Sequence, residues 1–118
     1  MIEDKNQSWV MGGLMHRNPD DFEQLTHCVC DWAKRRNITA EGGATSYTQI
    51  PKLIEEVKEF EAAENEHEAK LEFGDILVVC IQIARLRGLD MVECLDLAYE
   101  KIKDRKGRMV DGRFVKEI

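Results

Sequence analysis

Two short stretches decide how this chain folds: Leu53-Ile54-Glu55-Glu56-Val57-Lys58-Glu59-Phe60 and Leu71-Glu72-Phe73-Gly74-Asp75-Ile76-Leu77. Each carries an acid pair at a spacing of three inside a helix-like apolar pattern. Residues three apart lie on one helix face about a turn from each other, so Glu56 with Glu59, and Glu72 with Asp75, each aim two carboxylates the same way. If the two helices pack antiparallel, four carboxylates converge. Between Leu53 and Asp75 there are nine acidic residues against two lysines, a charge density that asks for a cation.

Asp75 sharpens the reading. Residues 73 to 84 are otherwise apolar apart from Gln82, and no basic residue stands three or four positions from Asp75. A carboxylate buried there without a partner costs several kcal/mol, so it pairs, protonates or binds a cation. Gly74 beside it lowers helix stability by about 1 kcal/mol relative to Ala, which predicts close approach of another backbone or a ligand. One Glu-x-x-Glu alone reads as a solvated helix face. Two such pairs, one with its Asp inside an apolar run, favour a metal site.

The pattern Glu55-Glu56-x-x-Glu59, twelve residues, then Glu72-x-x-Asp75 resembles the acidic signature of the MazG-type nucleotide pyrophosphohydrolases, the all-α NTP pyrophosphatases. The likeness extends through a fourth helix to Asp104-Arg105-Lys106-Gly107-Arg108-Met109-Val110-Asp111-Gly112, which looks like the C-terminal end of small single-domain members. It covers about residues 22 to 116.

At 118 residues the chain has the size of one domain, and 43% hydrophobic content suffices for a single core, although helical arrangements this small often complete theirs by dimerising. Charged residues make up 34% and the net charge is −6. That balance argues against tracking a nucleic-acid polymer, which wants a basic face. It does not argue against a free nucleotide, because a divalent metal supplies positive charge locally. Cys28, Cys30, Cys80 and Cys94 form no Cys-x-x-Cys pair, so they read as free thiols of a cytoplasmic protein. Residues 1–19 lack the apolar run of a signal peptide, and the run Ile76 to Ile81 is too short to span a bilayer. No membrane partner is expected.

In chain order, residues 1–17 read as a flexible leader and 18–118 as the domain. Asn18-Pro19-Asp20-Asp21 opens helix one, which runs to about Arg36 with Phe22, Leu25, Val29 and Trp32 as its apolar face. Trp32 either stacks on a nucleobase or belongs to core or interface. Ala40 to Ser46 reads as a loop. Helix two begins near Tyr47 or Thr48, takes Pro51 in its first turn, and buries Ile50, Leu53, Ile54, Val57 and Phe60. Lys52 shares a face with Glu56, either as an ordinary ion pair or as a phosphate contact. The pattern weakens around Glu64-Asn65-Glu66. Glu64-x-x-His67 has di-iron spacing, but such bundles need a second Glu-x-x-His, and the chain lacks one.

Helix three is expected from about Glu68 to Arg87, stopped by Gly88. Asp90 caps helix four with Glu93 in capping-box position, Val92, Leu95, Ala98, Tyr99 and Ile102 form its inner stripe, and Gly107 ends it. From Lys101 to Ile118 seven basic residues face three acidic ones. On a continuing helix Lys101, Arg105 and Arg108 share one edge, either a phosphate-binding one or a helix end that suits cations. Met109 to Val115 reads as a hairpin around Asp111-Gly112.

The resemblance implies an all-α, four-helix MazG-like bundle with a short C-terminal hairpin, assembled as a homodimer or homotetramer. It implies Mg²⁺ or Mn²⁺ held by Glu56, Glu59, Glu72 and Asp75, ligands of the oxygen type such ions prefer. The reaction implied is hydrolysis of a (deoxy)nucleoside triphosphate to the monophosphate and pyrophosphate, by water attacking the α-phosphorus. Catalytic residues would be Glu56 and Glu55, the latter acting from behind the ligands or as the base, while Lys52, Lys101, Arg105 and Trp32 would contact substrate. Many members carry Asn two positions before the helix-four lysine, where this chain has Tyr99, a position that bears on base and sugar choice. Two readings compete: a non-catalytic nucleotide- or metal-sensing helical module, and the di-iron bundle.

Overall fold

The computed structural model describes residues 21–38 and 43–117. The expected leader 1–17, the helix opening at Asn18-Pro19-Asp20 and residues 40–42 of the expected loop lie outside the described residues. Within them the chain forms α1 (Asp21–Arg35), α2 (Ser46–Glu61), α3 (Glu66–Leu86), α4 (Met91–Ile102), then β1 (Gly107–Val110) and β2 (Arg113–Lys116). The fold is mostly helical with one small hairpin, as the periodicity predicts. None of the described helices is long and apolar enough to cross a membrane.

Local chemistry sets the helix ends. Thr45, extended at φ −128°, caps α2 by accepting from the Thr48 N–H, while the Thr48 hydroxyl accepts from the Thr45 N–H at 2.9 Å. This reciprocal pair starts the helix upstream of the expected Tyr47 or Thr48. Pro51 therefore falls in the second turn, where it has no N–H to give the Tyr47 carbonyl. Asn65 accepts from the Glu68 N–H at 2.8 Å and starts α3 two residues before the expected Glu68. Asp90 accepts from the Glu93 N–H at 2.9 Å, one half of the expected box. α1 and α3 end alike: Asn37 (φ 59°) and Gly88 (φ 70°) turn left-handed, and the next residue donates back to Ala33 (2.9 Å) or Ala84 (2.7 Å), a Schellman closure.

Gly107 does not end α4. The helix stops at Ile102, and Gly107 opens β1, paired with Lys116 in an antiparallel register that also sets Arg108 against Val115. The hairpin needs a glycine there, because a Cβ would strike the Val115 carbonyl oxygen and the Phe114 ring. Asp111 (φ 51°) and Gly112 (φ 79°) make the two-residue turn, the backbone signature of type I′. The predicted cationic helix edge is therefore broken: Lys101 is on α4, Arg105 lies past its end and Arg108 is in a strand.

α3 is the central element. α2 packs along it and α1 rests against it, while α4 leans on α1. Phe60 and Phe73 meet with ring centroids 5.4 Å apart, and at the other end Ile50 and Pro51 share a groove with Ile83 and Arg87. α2 and α3 are thus antiparallel. The buried apolar residues are Ala33, Val79, Ile81 and Ala84, which centres the core on α3. Several predicted core positions are exposed instead, among them Ile50, Ile54, Val57, Phe60, Phe22 and Trp32. On α4, Leu95 is 61% exposed and Tyr99 57% exposed. The stripes exist, but among the described residues the main contact of α4 is with α1, and these positions stay exposed. Gly74 also departs from expectation, since nothing lies within 4 Å of where its Cβ would stand.

The Thr45 cap is testable on its own. Thr45→Ala should lower unfolding free energy by about 1 kcal/mol, read as a lower urea midpoint with an unchanged slope; an unchanged midpoint would mean that the capping pair contributes nothing.

Candidate metal centre

The acid cluster is a product of the α2–α3 hairpin. Antiparallel packing brings the turn of α2 that carries Glu55, Glu56 and Glu59 beside the turn of α3 that carries Glu72 and Asp75. One oxygen from each of Glu55, Glu56 and Glu59 lies within 4.8 Å of the others, and so does one from each of Glu56, Glu72 and Asp75. Glu56 belongs to both groups. It is the most enclosed member, 5% exposed, whereas Glu72 is half-buried and Asp75 exposed. Glu56 thus links an α2 group, in which Glu55 and Glu59 stand, to a group that Glu72 and Asp75 of α3 complete.

Lys52 is the cation within reach. Its Nζ stands 3.0 Å from Glu55 Oε1 and 3.0 Å from Glu56 Oε2. Those two contacts, to Glu55 first and then Glu56, push the lysine pKa well above its ordinary value. One ammonium does not satisfy the cluster: Glu56 Oε1 and Glu72 Oε1 are both buried with no hydrogen-bond partner. Buried carboxylate oxygens are costly to leave unpaired. Burial, and after it the charges of Glu59, Asp75 and Glu56, hold the Glu72 carboxyl above its ordinary value.

An all-oxygen, carboxylate-only donor set with two orphaned buried oxygens fits a hard divalent cation and not a soft one. Glu56, Glu59, Glu72 and Asp75 are the residues that could hold it. His67 is exposed in the first turn of α3, and Glu64 lies in the preceding linker; neither belongs to these acid groups.

A pocket of about 480 Å³ opens beside the cluster, and its lining includes Glu56, Asp75, Lys52, Trp32, Val79 and Gln82. Lys101 and Arg105 are exposed and line no part of it. Sequence reasoning passed over Thr48, Gln49, Ile38 and Gln82. Gln82 had a signal: it is the lone polar residue of an apolar run, seven positions from Asp75 and hence on the same face of α3.

The family model for the MazG nucleotide pyrophosphohydrolase domain matches residues 44–110, more than half of the chain. The chain belongs to the MazG family. The MazG match spans α2, α3, α4 and β1, so both acid pairs lie within it, while α1 with Trp32 lies outside. Comparison with curated proteins found no match, and comparison with solved structures found none either.

The strained state of Glu72 has a pH signature. A carboxyl whose folded pKa is raised favours the folded state while protonated. That contribution fades as pH climbs from the ordinary 4.5 through the raised folded value, because the unfolded chain releases the proton first. In chelator-treated protein, Glu72→Gln should melt above the parent at pH 7 and level with it below pH 4.5. Identical curves at both pH values would mean that Glu72 carries no such strain.

Proposed function

We propose that this MazG protein hydrolyses nucleoside triphosphates, ribo- or deoxyribo-, to the monophosphate and pyrophosphate. The observation that carries the reading is the pair of partnerless buried oxygens, Glu56 Oε1 and Glu72 Oε1, in a family that is generally dependent on a divalent metal. Glu56, Glu59, Glu72 and Asp75 are the ligands in this reading, and Mg²⁺ or Mn²⁺ the ion. The bound ion supplies the positive charge that a triphosphate and its attacking water require.

The chain's own groups do the rest. Glu55 accepts the proton of the water whose oxygen bonds to the α-phosphorus, as the bond from that phosphorus to the pyrophosphate oxygen breaks. Lys52 fixes Glu55 and Glu56 at 3.0 Å and offers the phosphates an ammonium. Trp32, in the lining of the same pocket, receives the base. Lys101 and Arg105 contact phosphate only where a second copy brings them to it.

A second copy is called for on other grounds. Val92, Leu95, Tyr99 and Ile102 of α4 form an apolar stripe exposed among the described residues, the kind of surface that marks a contact between protein chains. We assign this stripe to the contact of a homodimer or homotetramer. Free thiols at all four cysteines agree with a cytoplasmic setting.

Two measurements test the reading. With Mg²⁺ or Mn²⁺ the parent should release pyrophosphate from a panel of nucleoside triphosphates, and the ion should raise its melting temperature by mass action. Asp75→Asn should abolish release while leaving the chelated protein at least as stable, since one repelling charge is gone. Metal binding without turnover would point instead to a sensing module, and retained turnover in Asp75→Asn would sink the site. Sedimentation at micromolar concentration should give a dimer or tetramer; a monomer would remove the role given to α4.

A further inference from the structure

Gln82 is a largely buried polar residue, 7% exposed, that makes no hydrogen bond among the described residues; its amide atoms are not among the buried partnerless ones, so they open to solvent. An amide held in a pocket wall with no protein partner keeps its donor and its acceptor available to whatever enters the pocket. Gln82 has such a place, in the wall of the pocket that also holds Trp32, Asp75 and Glu56.

Position narrows the role. Asp75, Val78, Val79 and Gln82 run along one stripe of α3 and all line the pocket. Seven residues of helix separate Gln82 from Asp75 by about 10 Å. That is the order of the span from the α-phosphate of a nucleotide, across its sugar, to the hydrogen-bonding edge of its base. Trp32 adds an aromatic face to the lining of the same pocket, the usual platform for a base whatever its identity.

We propose that Gln82 is a specificity-determining residue whose amide hydrogen-bonds the Watson–Crick edge of a nucleobase stacked on Trp32. The inference rests on the hydrolase reading for the placement of the phosphates. An amide carries one acceptor and one donor group side by side. Adenine presents an amino donor beside a ring-nitrogen acceptor, and hypoxanthine presents the reverse, a carbonyl acceptor beside a ring N–H donor. No protein hydrogen bond fixes which way the Gln82 amide points, so turning it over matches either edge. The pocket therefore tolerates amino and keto bases alike and rejects a base with no exocyclic group to pair.

Nucleosides test this without phosphate, metal or turnover. Dissociation constants from NMR titration should show adenosine binding about tenfold more tightly than purine riboside, which lacks the 6-amino group, with inosine within about threefold of adenosine. In Gln82→Met, nearly the same volume with no polar atom, adenosine and purine riboside should bind alike, and the melting temperature should equal or exceed that of the parent. Gln82→Asn keeps the amide but withdraws it by one methylene, and should lower the ratio while leaving the fold intact. The proposal is overturned if none of the three nucleosides binds the parent, if the parent does not tell adenosine from purine riboside, or if the ratio survives in Gln82→Met. A drop in melting temperature in Gln82→Met with an unchanged ratio would mark the amide as structural and overturn it too. Nucleoside discrimination without pyrophosphate release would refute the hydrolase reading and leave this one standing. Pyrophosphate release with base preference independent of Gln82 would do the reverse.

Discussion

Packing α2 against α3 gathers Glu55, Glu56, Glu59, Glu72 and Asp75 into two acid groups that share Glu56, opposed among the described residues by the ammonium of Lys52. The apolar contacts that close this hairpin, Phe60 on Phe73 among them, hold the carboxylates together against their own repulsion. Stability and site chemistry are therefore antagonists within one pair of helices. The raised pKa of Glu72 and the partnerless oxygens of Glu56 and Glu72 are two expressions of the same conflict. Natural chains keep such features where they are used and not where they only hold a fold.

The remaining elements arrange themselves around that hairpin. α1 lies on α3 and contributes Trp32 to the pocket, although the MazG match begins after it. The acids, which carry the family's signature, and the aromatic face, which does not, meet across one pocket. α3 lines the same pocket through Asp75, Val78, Val79 and Gln82, so one helix carries an acid of the cluster and the neighbouring pocket wall along a single face.

Much of this was legible in the residues, for physical reasons. Carboxylates inside an apolar helical pattern are too costly to be incidental, so Glu72-x-x-Asp75 announced a cluster. Asp90 was readable as a cap because little else near it offers a side-chain acceptor. Thr45 was missed because Thr45, Ser46 and Thr48 all carry hydroxyls, and only the reciprocal bond selects one. Gly107 was misread because glycine serves equally after a helix and at a close strand contact; the Phe114 ring across the hairpin decides between them. The apolar stripes of α2 and α4 were found correctly but assigned to the interior. Amphipathic spacing says that a face needs cover and is silent on what covers it. Gln82 was visible as an oddity, yet its meaning needed the pocket.

The ratio of five carboxylates to one ammonium also sets how the mouth of the pocket responds to dissolved salt. Most proteins that take up phosphate groups do so on a basic surface, and their affinity falls as ionic strength rises. In the reaction proposed above, the polyanion approaches carboxylates of its own sign, Glu56 and Asp75 in the pocket lining, within a screening length of about 8 Å at physiological ionic strength. Added monovalent salt weakens that repulsion, so the encounter of a free nucleotide with this chain quickens where the usual one slows.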